Sequence, residues 1–132
     1  MLNLPKVSEY MDTVVQTLNA NTQILDAVDF LLEKHVTGAP VVDRQNRVVG
    51  ILSEKDCLNL LAAGSDADVP QGTVADFMTT EVLTIPPGMN VYFCAGLFMN
   101  TSIRRFPVVD DDKLVGAITR FDILRAIQKN LR

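Results

Sequence analysis

The sequence predicts an α/β fold of the α+β type, made of two strand–helix–strand–strand–helix repeats packed about a pseudo-twofold axis. Three observations predict it: a short motif that recurs in register, an amphipathic helical stripe that recurs with it, and a β-branched hairpin after each stripe. Pro40-Val41-Val42-Asp43 returns 67 positions later as Pro107-Val108-Val109-Asp110. The same shift carries Val7 onto Val74, Met11 onto Met78, Thr13 onto Thr80 and Thr17 onto Thr84. Beyond the motif one residue is lost, so Gly50, Ser53, Asp56 and Leu58 map onto Gly116, Thr119, Asp122 and Leu124. The loss falls where a turn is expected, and turns tolerate length changes. Self-similarity at a fixed period marks a duplicated structural unit.

The elements follow in the same order in each copy. Val7-Ser8-Glu9-Tyr10-Met11 and Val74-Ala75-Asp76-Phe77-Met78 read as short lead-in helices. Val14 to Leu18, and Val82 to Ile85, read as a short strand. Ile24, Ala27, Val28, Leu31 and Leu32 then fall at i, i+3, i+4, i+7 and i+8, one apolar helical stripe. Val91, Cys94, Ala95, Phe98 and Met99 repeat it, while Asp26, Asp29 and Glu33 take the wet face of the first helix. Pro40-Val41-Val42 and Val48-Val49-Gly50-Ile51-Leu52 flank the polar turn Asp43-Arg44-Gln45-Asn46-Arg47, a β-hairpin pattern. The second hairpin turns at Asp110-Asp111-Asp112-Lys113. A last helix carries Cys57, Leu58 and Leu61 in one copy and Ile123, Leu124 and Ile127 in the other. The repeats are thus expected over 1–64 and 74–132, with a linker over 65–73 marked by Ser65, Asp66, Asp68, Pro70 and Gly72. Chains of about 60 residues are marginal alone, so the copies are expected to share a core.

Composition narrows the function classes. Of 132 residues, 48% are apolar and 21% charged, which suits a folded domain rather than a disordered chain. The net charge of −4 argues against a general nucleic-acid binder, which needs a basic face. No apolar run approaches the roughly 18 residues of a membrane span, and the first residues lack a signal-peptide pattern, so a cytoplasmic location is expected. Cys57 and Cys94 lie far apart in apolar helical patterns and read as buried reduced thiols. His35 is the only histidine, and no cluster of metal-ligating residues surrounds it in sequence.

Ser53-Glu54-Lys55-Asp56 and Thr119-Arg120-Phe121-Asp122 carry the chemistry. Each follows a strand and opens a helix. A carboxylate offers acceptor oxygens for the neighbouring hydroxyls of a ribose, and a hydroxyl with free N–H groups at a helix start suits a phosphate. The same spacing is also a helix capping box. The two roles are compatible.

Taken together, these residues resemble the cystathionine-β-synthase-type (CBS) domain, and two in tandem resemble a Bateman module. The likeness rests on a lead-in ending in Met, a strand ending in Thr, an amphipathic helix, Pro-Val-Val-Asp, and Val-Gly-Ile-Leu-Ser-x-x-Asp, from about Val7 to about Gln128. The resemblance implies two clefts between the repeats that take an adenosine-containing regulatory ligand such as AMP, ADP, ATP or S-adenosylmethionine. It implies a regulatory module without chemistry of its own or a required cofactor, a homodimer, and a separate regulated protein. Carried over, the first cleft combines Ile51, Ser53 and Asp56 with Val82, Leu83, Arg104, Arg105 and Phe106. The second combines Ala117, Thr119 and Asp122 with Met11, Val15, Gln16, Thr37, Gly38 and Ala39. Arg104 and Arg105 are suited to phosphate, whereas their counterparts Thr37 and Gly38 bring no cation. The first cleft is therefore expected to hold phosphorylated adenosine more tightly.

Two other classes compete. An enzyme finds no support in motifs, since the Gly-rich phosphate loops and the Gly-x-Ser-x-Gly elbow are absent from the sequence. A ligand-free interaction scaffold would use apolar helix faces outside the core, with Phe98 and Met99 or Leu60 and Leu61 as candidates.

Overall fold

One proline shapes the hairpin in each half of the molecule. In the computed structural model, which describes residues 4–63 and 71–131, Pro40 and Pro107 each sit inside a two-stranded antiparallel hairpin. Strand β1 (Gly38–Val42) pairs with β2 (Val48–Ser53), and β3 (Arg105–Asp110) pairs with β4 (Lys113–Thr119). The register shifts between Val41 and Val42, and again between Val108 and Val109, so the bulge is duplicated with the motif. In the first turn the Asp43 carboxylate accepts the N–H groups of Gln45 and Arg47 and the Arg47 Nε at 2.8 Å. Those N–H donors, Arg47 first, hold the Asp43 carboxyl below the usual carboxylate range. In the second turn Asp111 and Asp112 both take positive φ, the geometry of a tight two-residue hairpin turn.

The expected leading strand is reduced to one rung. Leu18 N–H donates to the Pro40 carbonyl and the Leu18 carbonyl accepts from Val42 N–H; Ile85 does the same with Pro107 and Val109. Both are parallel bridges, to Val41 and Val108. The next rung toward the N-terminus would need an N–H from residue 40 or 107, and proline has none. Val14 to Thr17 and Val82 to Thr84 are therefore outside any strand.

The helices are α1 (Ile24–Lys34), α2 (Glu54–Ala63), α3 (Val74–Phe77), α4 (Val91–Asn100) and α5 (Arg120–Asn130), with a 3-10 turn at Val7–Glu9. Helix α1 ends at His35, which adopts the left-handed conformation and donates its N–H to Leu31 and Leu32 carbonyls. The lone histidine thus terminates a helix. The stripes bury Ile24, Ala27 and Leu31, and Val91, Cys94 and Phe98. Their last members do not join them: Leu32 is exposed and Met99 is 86% exposed, since i+8 sits at the margin of the stripe. In the last helices Leu60, Ile123 and Ala126 reach the core, while Leu58, Leu61, Leu124 and Ile127 are exposed.

The chain forms two compact units, Gln16–Val82 and Met1–Val15 with Leu83–Arg132. The first is built on Leu18, Ile24, Leu31, Val41, Leu52, Leu60 and Val74. The second is built on Val7, Ile85, Phe98, Phe106, Val108, Ile118 and Ile123, with the Phe98 and Phe106 rings 4.5 Å apart. Each unit takes its lead-in from the other sequence repeat. Glycines explain how closely these lead-ins dock. A Cβ on Gly50 would lie 2.6 Å from Met78 Sδ, and one on Gly116 would lie 2.7 Å from Met11 Sδ and 2.8 Å from the Asp12 carbonyl. The Met and Gly that recur in the sequence are thus contact partners within a unit. The expected linker falls mostly on residues 64–70, outside the described residues.

Candidate functional site

Each unit carries one capped carboxylate at the end of its hairpin. Ser53 closes β2, and Asp56 sits in the first turn of α2. Asp56 Oδ2 accepts from Ser53 N–H at 2.9 Å and from Ser53 Oγ at 3.0 Å, while Asp56 N–H donates to Ser53 Oγ at 3.2 Å. Thr119 and Asp122 repeat this at 2.9, 3.0 and 3.3 Å. Both are reciprocal capping boxes, which satisfy N–H groups that a helix start otherwise leaves unpaired.

The caps consume one carboxylate oxygen and leave the other to different partners. Asp56 Oδ1 accepts from the Thr79 hydroxyl at 3.1 Å. Thr79 is brought there by an antiparallel bridge in which it and Ile51 exchange both backbone hydrogen bonds, at 2.9 and 2.8 Å. Asp122 Oδ1 instead accepts from Arg125 Nη2 at 3.1 Å, and Arg125 also donates to the Tyr10 carbonyl at 2.8 Å. In this unit Asp12 takes the place of Thr79 and exchanges backbone bonds with Ala117.

The expected residues divide between the units. Ile51, Ser53, Asp56 and Val82 lie in one unit with Gln16, Thr37, Gly38 and Ala39; Ala117, Thr119, Asp122, Met11 and Val15 lie in the other with Leu83, Arg104, Arg105 and Phe106. Gly38 pairs with Ser53, and the Thr37 carbonyl accepts Glu54 N–H at 2.8 Å, so the pre-proline segment borders the first cap. Arg105 takes the corresponding rung opposite Thr119. Its Nε is buried and makes no hydrogen bond among the described residues, while Arg104 is exposed. The Phe106 ring is fully buried and packs against Phe98, with the ring centroids 4.5 Å apart. Ala39 and Ala117 are likewise buried and contribute their backbones to the hairpins.

Thr79 and Arg125 were not among the expected site residues. Their repeat counterparts are Asp12 and Asn59, so register comparison gave no signal for either. Cys57, beside Asp56, is half-buried rather than fully buried; burial first and the Asp56 charge second push its thiol pKa up. Cys94 is fully buried and its thiol is pushed up to about 11 by that burial. Neither is a poised nucleophile. Among the described residues no group of three metal-ligating side chains converges, and no helix is long and apolar enough to cross a membrane.

Solved structures share this fold. The structure of CBSX2 in complex with AMP superposes with a TM-score of 0.84 at 33% identity, covering 97% of this chain and 99% of that one. The CBS domain pair of protein MJ0100, in complex with 5′-methylthioadenosine and S-adenosyl-L-methionine, gives 0.80 at 26% identity, covering 96% and 98%. Protein MJ1225 of Methanocaldococcus jannaschii is 31% identical over 121 residues, 92% of this chain and 42% of its own length. The chain spans less than half the length of this and other curated relatives it matches. The CBS domain family pattern matches twice, over residues 7–63 and 74–129. With both repeats matched and the fold shared end to end with solved CBS pairs, the chain belongs to the CBS domain family.

Proposed function

We propose that the chain is a regulatory module that binds an adenosine-containing ligand and performs no chemistry itself. The observation that carries this reading is the duplicated capped carboxylate. Asp56 and Asp122 are each fixed through Oδ2, with Oδ1 turned to a polar side chain beyond the cap. A pre-oriented carboxylate is a good acceptor for the paired hydroxyls of ribose. The ligands of CBSX2 and of the MJ0100 domain pair support the class, since AMP, 5′-methylthioadenosine and S-adenosyl-L-methionine all carry adenosine. Arg105 supports a phosphorylated member of that class, because its buried Nε wants an acceptor that a phosphate supplies.

A thermal-shift panel of adenosine, AMP, ADP, ATP and S-adenosylmethionine tests the proposal. A ligand at 100 times its dissociation constant adds about 2.7 kcal/mol, a shift of several degrees. Arg105→Ala should weaken AMP more than adenosine. A flat response to every compound at millimolar concentration would refute ligand binding.

The output passes, in this reading, through self-association or a separate partner protein. Support comes from apolar side chains on the last helices that no core claims: Leu58, Leu61, Phe121 and Leu124 are exposed. The same observation favours a second reading, a ligand-free dimerisation scaffold. That reading uses Met99 and Leu61, which are exposed; Phe98 and Leu60 are buried and unsuited to it. Sedimentation of Leu61→Glu and Leu124→Glu variants tests self-association, and an unaltered mass would exclude these helices from the contact.

A further inference from the structure

The two carboxylates share a cap but differ in the chemistry of the second partner. A hydroxyl has one proton and two lone pairs and turns about its C–O bond. Thr79 can therefore donate to Asp56, or turn and accept a hydrogen bond from an incoming hydroxyl. A guanidinium has donors only, so no atom of Arg125 accepts a hydrogen bond from a sugar hydroxyl. Arg125 is also anchored. It bonds the Tyr10 carbonyl at 2.8 Å and lies 6.0 Å from the centre of the Tyr10 ring. Tyr10 is itself held, its hydroxyl accepting Asn130 Nδ2 at 2.9 Å. In the unit Gln16–Val82, Asn59 and Phe77 stand where the other unit has Arg125 and Tyr10.

We propose that Arg125 guards Asp122 against a ribose diol, so that Asp56 takes the diol and Asp122 does so only when Arg125 is removed. This rests on the reading that these carboxylates take ribose. Two neighbouring hydroxyls need two acceptor positions. Thr119 N–H and hydroxyl occupy Oδ2 of Asp122, and Arg125 occupies one side of Oδ1, which leaves one. Asp56 has the same single vacancy on Oδ1, but the Thr79 oxygen beside it supplies the second. Displacing Arg125 would break its bonds to Asp122 and Tyr10 together.

The test is isothermal titration of the full chain with adenosine, which is uncharged and so cannot recruit Arg125 through a phosphate. An Asp56→Ala variant reports on Asp122 alone. Adding Arg125→Asn to it installs the residue of the first repeat. The double variant should bind adenosine at least about tenfold tighter than Asp56→Ala, a gain of about 1.4 kcal/mol. It should gain nothing for 2′-deoxyadenosine, which lacks the diol. Arg125→Gln, which keeps most of the stem, should behave the same way if the Asn variant melts. Equal or weaker adenosine binding, or an equal gain for 2′-deoxyadenosine, would overturn the guard. If the wild-type chain itself binds no adenosine compound, the underlying ribose reading falls; if it binds and the variant gains nothing, only the guard falls.

Discussion

Gly50 and Gly116 are needed because a sulfur atom already occupies the space where their Cβ would stand. At Gly50 the nearest atom is Met78 Sδ at 2.6 Å, the end of a flexible side chain, with the Thr79 carbonyl at 3.0 Å. At Gly116 the Asp12 carbonyl is at 2.8 Å, and backbone yields less readily than thioether. Overpacking of this kind costs about 1–3 kcal/mol. Gly50→Ala and Gly116→Ala should each lower the urea midpoint, Gly116→Ala by more. Unaltered midpoints would mean the lead-ins are not docked as described. The repeat of Met and Gly was readable from the sequence, but their contact was not. Each Met meets the glycine of the other repeat, and no local pattern reports which partner a segment will join. The capped half of the candidate site was readable for the opposite reason. Ser53 with Asp56, and Thr119 with Asp122, are three residues apart and interact locally. Thr79 and Asp56 lie 23 residues apart, and the pair has no counterpart in the other repeat.

At the scale of elements, proline decides how much sheet each hairpin supports. Val14 to Leu18 reads as a short strand, yet only Leu18 pairs, because a donor is missing at Pro40. The pattern was legible and the missing N–H limited its realisation. The helix stripes were legible except at their margins, where Leu32 and Met99 turn outward. The last helices were harder to read: Leu60, Leu61 and Leu58 have the same hydropathy, and only packing within the unit separates the buried Leu60 from the other two. The start of those helices depends on the caps. Replacing a Ser or Thr cap by Ala costs about 1 kcal/mol. Ser53→Ala and Thr119→Ala should each lose stability of that size in chemical denaturation. A loss at neither position would show that the carboxylates are not fixed by their caps.

At the scale of the molecule, compact units and sequence repeats are not the same objects. Val74, Phe77 and Met78 begin the second repeat but pack in the unit of the first; Val7, Tyr10 and Met11 do the reverse. A fragment spanning 16–82 contains every residue of its core, whereas a fragment spanning 1–64 lacks Val74 and carries Val7 with nothing to bury it. The 16–82 fragment should give the more native-like circular dichroism and the more cooperative melt, although chains of about 60–70 residues are marginal. The reverse order would contradict the unit boundaries. Two units of one design, each with a capped acidic side chain at its hairpin end, form the frame on which the functional reading stands.

Titration calorimetry with AMP, on the wild-type chain and on the Asp56→Ala/Asp122→Ala double variant, tests that reading most directly. Saturable binding by the wild type, weakened by at least about tenfold in a variant that still folds, is the expected result. Undiminished affinity in the double variant would contradict it.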